Sequence, residues 1–201
     1  MDSSSSLSAM ASAALGEISK VFERAQELDL DPAGRMVREI GAARDRDGQI
    51  VLYGVGREGL MLKALAMRLF HLGLKASCVG DMSAPRIGAG DLLICSAGPG
   101  PGSFATVDGI LRVANRDGAR VMLLTAQRVD DIAGVDSLVV LPARTMADDV
   151  TSGSGDVAGI LPMGSVYEGA LFVLFELVVL ELRAKLGESV ESMRARHTNL
   201  E

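Results

Sequence analysis

Apolar residues recur at Leu15, Ile18, Val21, Phe22 and Leu28, and this three-and-four spacing predicts an amphipathic helix running to about Leu28. Asp31-Pro32 then supplies an N-cap and a proline in the first helical turn, opening a second helix toward Arg44 that closes over Arg44–Gly48. From Gln49 the pattern changes. Ile50–Tyr53 is a short apolar run, Gly54–Gly59 a glycine turn, and Leu60–Leu72 has helical periodicity. Lys75–Val79 and Asp91–Cys95 read as strands two and three. The Gly/Pro-rich turn Ser96–Gly102 leads into a helix over Ser103–Asn115, with Ser103 as its N-cap. Ala119–Leu124 and Ser137–Leu141 give strands four and five. Met146–Gly164 is glycine-rich and without period, Ser165–Lys185 is a long apolar helix, and Glu188–Arg196 a short one.

Strands alternating with helices imply right-handed βαβ units and hence an α/β fold. The expected core is a five-stranded parallel sheet flanked by helices in the order 2-1-3-4-5. N-terminal helices over residues 1–48 form an extension, and residues 49–201 form one compact unit. In that order, the crevice where ligands bind lies at the carboxyl ends of strands one and three. Both glycine-rich turns, Gly54–Gly59 and Ser96–Gly102, directly follow those two strands. Each opens a helix whose N-terminus favours negative charge.

Composition narrows the functions. Of 201 residues, 48% are hydrophobic and 23% charged, a globular balance. Aromatics are 3%, Trp is absent and the net charge is −6, which disfavours nucleic acid as a partner. Cys78 and Cys95 fall on strands separated by a third, beyond disulfide reach, and read as buried apolar residues of a reducing compartment. The N-terminus, with its serine tract read as a flexible tail, has no secretory pattern. Glu168, Glu176 and Glu181 interrupt the apolar stretch Val166–Leu182, so no membrane span is expected and the cytoplasm is the expected location.

Two local signals have competing readings. Gly54, Gly56 and Gly59 match G-x-G-x-x-G by letter, with Asp81 22 residues beyond, so a dinucleotide site stays open at this point. Ser165-Val-Tyr-Glu168 spells a capping box, in which Glu168 would bond back to the backbone of Ser165.

Three segments carry a family resemblance. They are Gly56-Arg-Glu-Gly59 with Ala66-Met-Arg-Leu-Phe-His-Leu-Gly73, Gly90-Asp-Leu-Leu-Ile94 with the turn after it, and the tail Ala195-Arg-His-Thr-Asn-Leu-Glu201. Together they resemble the sugar isomerase (SIS) domain family, and within it the 6-phospho-3-hexuloisomerases. The resemblance implies interconversion of a 3-hexulose 6-phosphate and fructose 6-phosphate through an enediolate, with no metal or cofactor. It implies a homotetramer with shared sites, Glu168 as catalytic base, and His197 as an acid or base reaching a neighbouring subunit's site. Substrate contacts are expected from Gly56, Arg57, Glu58, Ser96, Ala97, Gly98, Gly100, Ser103 and Thr106. Plainer roles for the cations are a surface pair of Arg57 with Glu58, a surface or interface salt bridge for Arg68, and a helix-terminal position for His71.

The chain departs from the family in both turns. Pro99 and Pro101 each remove an N–H from the second turn, and Glu58 stands where the family has serine. Each lost charge-assisted bond should weaken phosphate binding by about 1.5–3 kcal/mol. Two functions therefore stand side by side: an isomerase, or a non-catalytic sugar-phosphate-binding or sensing protein on the same scaffold.

Overall fold

The computed structural model describes residues 6–129, 132–151 and 159–200. Its centre is an all-parallel five-stranded sheet in the order β2-β1-β3-β4-β5, as expected. The strands are β1 Ile50–Gly54, β2 Ala76–Cys78, β3 Leu92–Ser96, β4 Arg120–Thr125 and β5 Ser137–Val140. Every residue of β3, at the middle of the sheet, is buried. Such a strand must be apolar on both faces, which is why Leu92–Cys95 reads as a continuous run.

The two faces build separate cores. Ile50, Leu52, Leu92, Ile94, Met122 and Leu124 point to one side, where helices α1 (Leu7–Glu27), α2 (Pro32–Asp45), α3 (Gly56–His71) and α6 (Ser165–Leu186) cover them. Val51, Leu93, Cys95, Val121 and Leu123 point to the other, under α4 (Ala105–Arg116). On α6 the buried set Leu171, Leu174, Phe175, Val178, Val179 and Leu182 follows the three-and-four helical period. Its other side leaves Phe172, Leu177 and Leu180 exposed. A short α7 (Val190–Ala195) follows the left-handed Gly187 that ends α6. Both cysteines are buried and neither is in a disulfide.

Several boundaries differ from expectation for identifiable reasons. Helix α1 begins earlier, at Leu7, because the Ser6 side chain accepts the Ala9 N–H as an N-cap. The remainder of the serine tract, expected as a flexible tail, lies outside the described residues. Asp31 caps α2 as anticipated, accepting from the Gly34 N–H at 2.9 Å. Ser103 does not cap α4; that position belongs to Phe104, and no side chain bonds there. A six-residue helix, α5 (Met146–Thr151), occupies the start of the segment read as aperiodic. Its signal is Thr145-x-x-Asp148, where the Asp148 carboxylate accepts from the Thr145 N–H at 2.6 Å. Residues 152–158 of that segment are outside the described set.

Candidate active site

Parallel register aligns Gly54 with Ser96 at the carboxyl ends of β1 and β3, so the two glycine-rich turns stand side by side. The first is tighter than an open loop. A Cβ on Gly54 would lie 2.9 Å from the Gly59 nitrogen, and one on Gly59 would lie 2.4 Å from the Gly54 oxygen, so α3 starts directly against the strand end. Helix α3 thereby begins at Gly56, four residues before the periodic signal at Leu60, and carries Arg57 and Glu58 in its first turn.

Glu58 is 8% exposed. Its carboxylate accepts from the Ser96 hydroxyl at 2.5 Å and from the Gly98 N–H at 3.0 and 3.2 Å. The hydroxyl of fully buried Tyr167, on the first turn of α6, lies 3.2 Å from the same Ser96 oxygen. Burial pushes the Glu58 carboxyl above the ordinary range, the bonds from Ser96 and Gly98 pull it back, and the Glu168 charge adds a smaller upward push. Burial likewise drives the Tyr167 phenol well up, so it stays protonated.

Glu168 follows Tyr167 on α6 and does not form the capping box. Gly164, in the left-handed region, holds the N-cap position, and Ser165 is already the first helical residue. The Ser165 hydroxyl instead accepts from Arg57 Nη1 at 3.1 Å, and the same nitrogen lies 3.0 Å from Glu168 Oε2. Arg57 therefore bridges to α6 rather than pairing with Glu58. The side chain of Glu168 is 12% exposed and its Oε2 is buried. Arg57 meets that oxygen as a charge contact without hydrogen-bond alignment, since Oε2 accepts no hydrogen bond. Burial raises the Glu168 carboxyl and the Arg57 charge lowers it by less. The result is a carboxylate in the first turn of α6 whose buried Oε2 has the Arg57 charge beside it and no aligned donor.

The remaining candidates are distributed less evenly. Ala97 and Gly98 are buried, and Gly100 is buried with φ +117. Gly56, Ser103 and Thr106 are exposed. Asp81 accepts from the Cys78 N–H at 3.3 Å and so closes the turn after β2. His197 is not beside Glu168 in the same chain. Its ring stacks on that of His71, the last residue of α3, with centroids 5.2 Å apart. Arg57 and His71 terminate opposite ends of a 16-residue helix, which at ~1.5 Å per residue separates them by about 20 Å. Arg68 pairs with Glu176 of α6 at 3.2 Å, consistent with a salt-bridge role.

A protein of Mycobacterium gastri named 3-hexulose-6-phosphate isomerase is 33% identical over 90% of this chain and 86% of its own length. The chain belongs to the 3-hexulose-6-phosphate isomerase family. The fold of that family agrees with solved structures. A Methanococcus jannaschii protein whose crystal structure inferred a 3-hexulose-6-phosphate isomerase function superposes with a TM-score of 0.73 at 23% identity, over 96% of this chain and 97% of its own. A Vibrio vulnificus protein complexed with ManNAc-6P gives 0.66 at 20% identity, over 96% of this chain and 67% of its own. The chain matches no protein-family model. The sequence does not single out Tyr167, although it does single out its neighbour Glu168. Its place beside Gly98, where a Cβ would sit 2.7 Å from the Tyr167 ring, is visible only in the fold.

Proposed function

We propose that the chain is a phosphosugar isomerase acting on a ketohexose 6-phosphate. Glu168 removes the proton from C2 of the 3-hexulose, and the electrons form the C2–C3 enediolate. The same proton, or one from water, returns to C3 while the O2 hydroxyl proton passes to O3, directly or through water, which leaves the ketone at C2 and a hydroxyl at C3. Arg57, 3.0 Å from Glu168, is placed to hold the base and to stabilise charge on the developing enediolate oxygen. The observation that carries the reading is the buried Glu168 Oε2, which accepts no hydrogen bond at the carboxyl edge of the sheet.

His197 acts in this proposal on the site of a neighbouring copy, assisting ring opening as acid or base. Support comes from the apolar residues that α3 and α6 leave exposed: Met67, Phe70, Phe172, Leu177 and Leu180. A homotetramer with shared sites would cover them. The expected location is the cytoplasm; among the described residues no helix is long and apolar enough to cross a membrane.

The test is solvent-deuterium exchange at the carbon-bound protons of fructose 6-phosphate. Exchange in wild type, lost by about 10² or more in Glu168→Gln, is the expected outcome for a general base. Saturable binding without exchange would leave a sugar-phosphate-binding protein instead.

A further inference from the structure

The Ser96–Ser103 turn has the shape of an anion seat, and an anion already occupies it. Each N–H from Ala97 to Ser103 has an acceptor within the chain. Ala97 donates to the Leu124 carbonyl, Gly100 to Ala97, and Ser103 to Gly100. Gly98 donates to Glu58 and Gly102 to Asp108, while Pro99 and Pro101 have no N–H to give. The Gly98 carbonyl is held from behind by the Ala126 N–H at 3.0 Å and the Thr125 hydroxyl at 3.3 Å, which fixes the direction of its own N–H. Two of the turn's donors thus point at carboxylates, and one of these, Glu58, is buried with the Ser96 hydroxyl as a further donor. That the seat suits an oxyanion is evident from its occupant.

The seat has no spare room. A single added carbon on Gly98 would come within 2.7 Å of the Tyr167 ring and 2.9 Å of Glu58 Oε1. A phosphoryl group, larger than a methyl, can take the donors of Ser96 and Gly98 only after Glu58 has left them. We propose that Glu58 is a specificity-determining residue, an intramolecular anion that competes with the phosphoryl group of a ligand for the Ser96 hydroxyl and the Gly98 N–H. The proposal rests on reading this crevice as the sugar-phosphate site and concerns only how that site discriminates. The competition penalises inorganic phosphate and phosphate esters, and leaves an uncharged sugar unaffected at the turn. It is set by the chain itself, since Glu58 lies in the first turn of α3, where the helix N-terminus also favours its charge.

The experiment is calorimetric titration of wild type, Glu58→Ser and Glu58→Gln with inorganic phosphate, fructose 6-phosphate and fructose, at one pH and salt concentration. Glu58→Ser empties the seat and should bind both phosphate ligands about tenfold more tightly or better, the worth of one charge-assisted bond. Glu58→Gln keeps the volume and the bond from Gly98 but removes the charge, so a smaller gain in the same direction is expected. It also stands in if the serine variant fails to fold. Fructose affinity should not change. Equal phosphate affinity in wild type and the folded variants would overturn the proposal. Deuterium exchange run on the same samples separates the two readings. No exchange in any variant, with the affinity shift present, defeats the isomerase assignment alone. Exchange with no affinity shift defeats the competition alone.

Discussion

The two ends of α3 meet α6 and the chain's C-terminal segments in opposite ways. At its N-terminal end, buried Glu58, Ser96 and Tyr167 and the largely covered Glu168 form a polar cluster within one chain, with the exposed Arg57 at its edge. At its C-terminal end, His71 and His197 stack beside a groove of about 570 Å³ whose lining includes Arg68, Leu177, Leu180, Arg183 and Arg194. One end has two largely desolvated carboxylates, of which Glu58 is held by donors; the other combines cations with exposed apolar surface. The contrast teaches that burial shifts a carboxyl within a single chain, whereas the tail histidine, about 20 Å away along α3 (at ~1.5 Å per residue), could meet Glu168 in the proposed reaction only from a second copy.

The sharpest way to break this comparison is Glu168→Gln, for which turnover should fall by about 10² or more while the melting temperature changes little. The glutamine keeps the size of the side chain, and no capping bond is at stake because the residue does not cap α6. Full activity in the folded variant would end the mechanism.

A mixing experiment addresses the other end. Glu168→Gln and His197→Asn should each be impaired as pure proteins. Co-refolded together, they should recover activity at roughly a quarter of sites, the random-pairing fraction for a symmetric oligomer. No recovery in proven mixed oligomers would place both residues' work within one chain. Replacing Phe70 and Leu180 by Glu should yield smaller species in sedimentation and lower activity together.

Glu58 carries a stability signature as well. Its folded carboxyl is raised above 4.5, so the folded state binds the proton more tightly than the unfolded one. That preference supports folding fully below the unfolded value and is lost as pH rises through the raised folded value. Relative to Glu58→Gln, wild type should therefore lose stability as pH rises from about 4 toward neutrality, by denaturant titration. A difference independent of pH would mean that the carboxyl is not desolvated.

The smallest effect concerns the tail. Arg196 Nη1 donates to the His71 carbonyl at 2.8 Å and to Glu188 Oε2 at 2.8 Å. The Arg196 guanidinium, with a bond from Ser192, holds the Glu188 carboxyl down at about 2. This tether is present above the unfolded value of 4.5 and is lost as pH falls toward 2. Arg196→Ala should speed amide exchange in α7 with little change in global melting, and should reduce activity only as far as it displaces His197.

What the sequence by itself determined is the framework. Short apolar runs alternating with helical segments specify five parallel strands, because a strand buried on both faces has to be apolar throughout, as Leu92–Cys95 is. The Asp31-Pro32 start of α2 was equally legible, since capping chemistry is local. The two turns could be found because spacing along a chain places helix and strand ends, whereas it is the family resemblance that singles out Glu168 as a base, spacing alone suggesting a cap that the fold does not form. Partner choice was decided only by tertiary structure. Glu58 reaches Ser96 and Gly98, 38 and 40 residues away, and Arg57 reaches Ser165 across 108. The sequence offered nearer partners, Arg57 with Glu58 and Ser165 with Glu168, and the fold took neither. The physical reason is burial: once β1 and β3 bring the turns together, a carboxylate facing the core must find donors there, and those of Ser96 and Gly98 are the ones the crevice supplies.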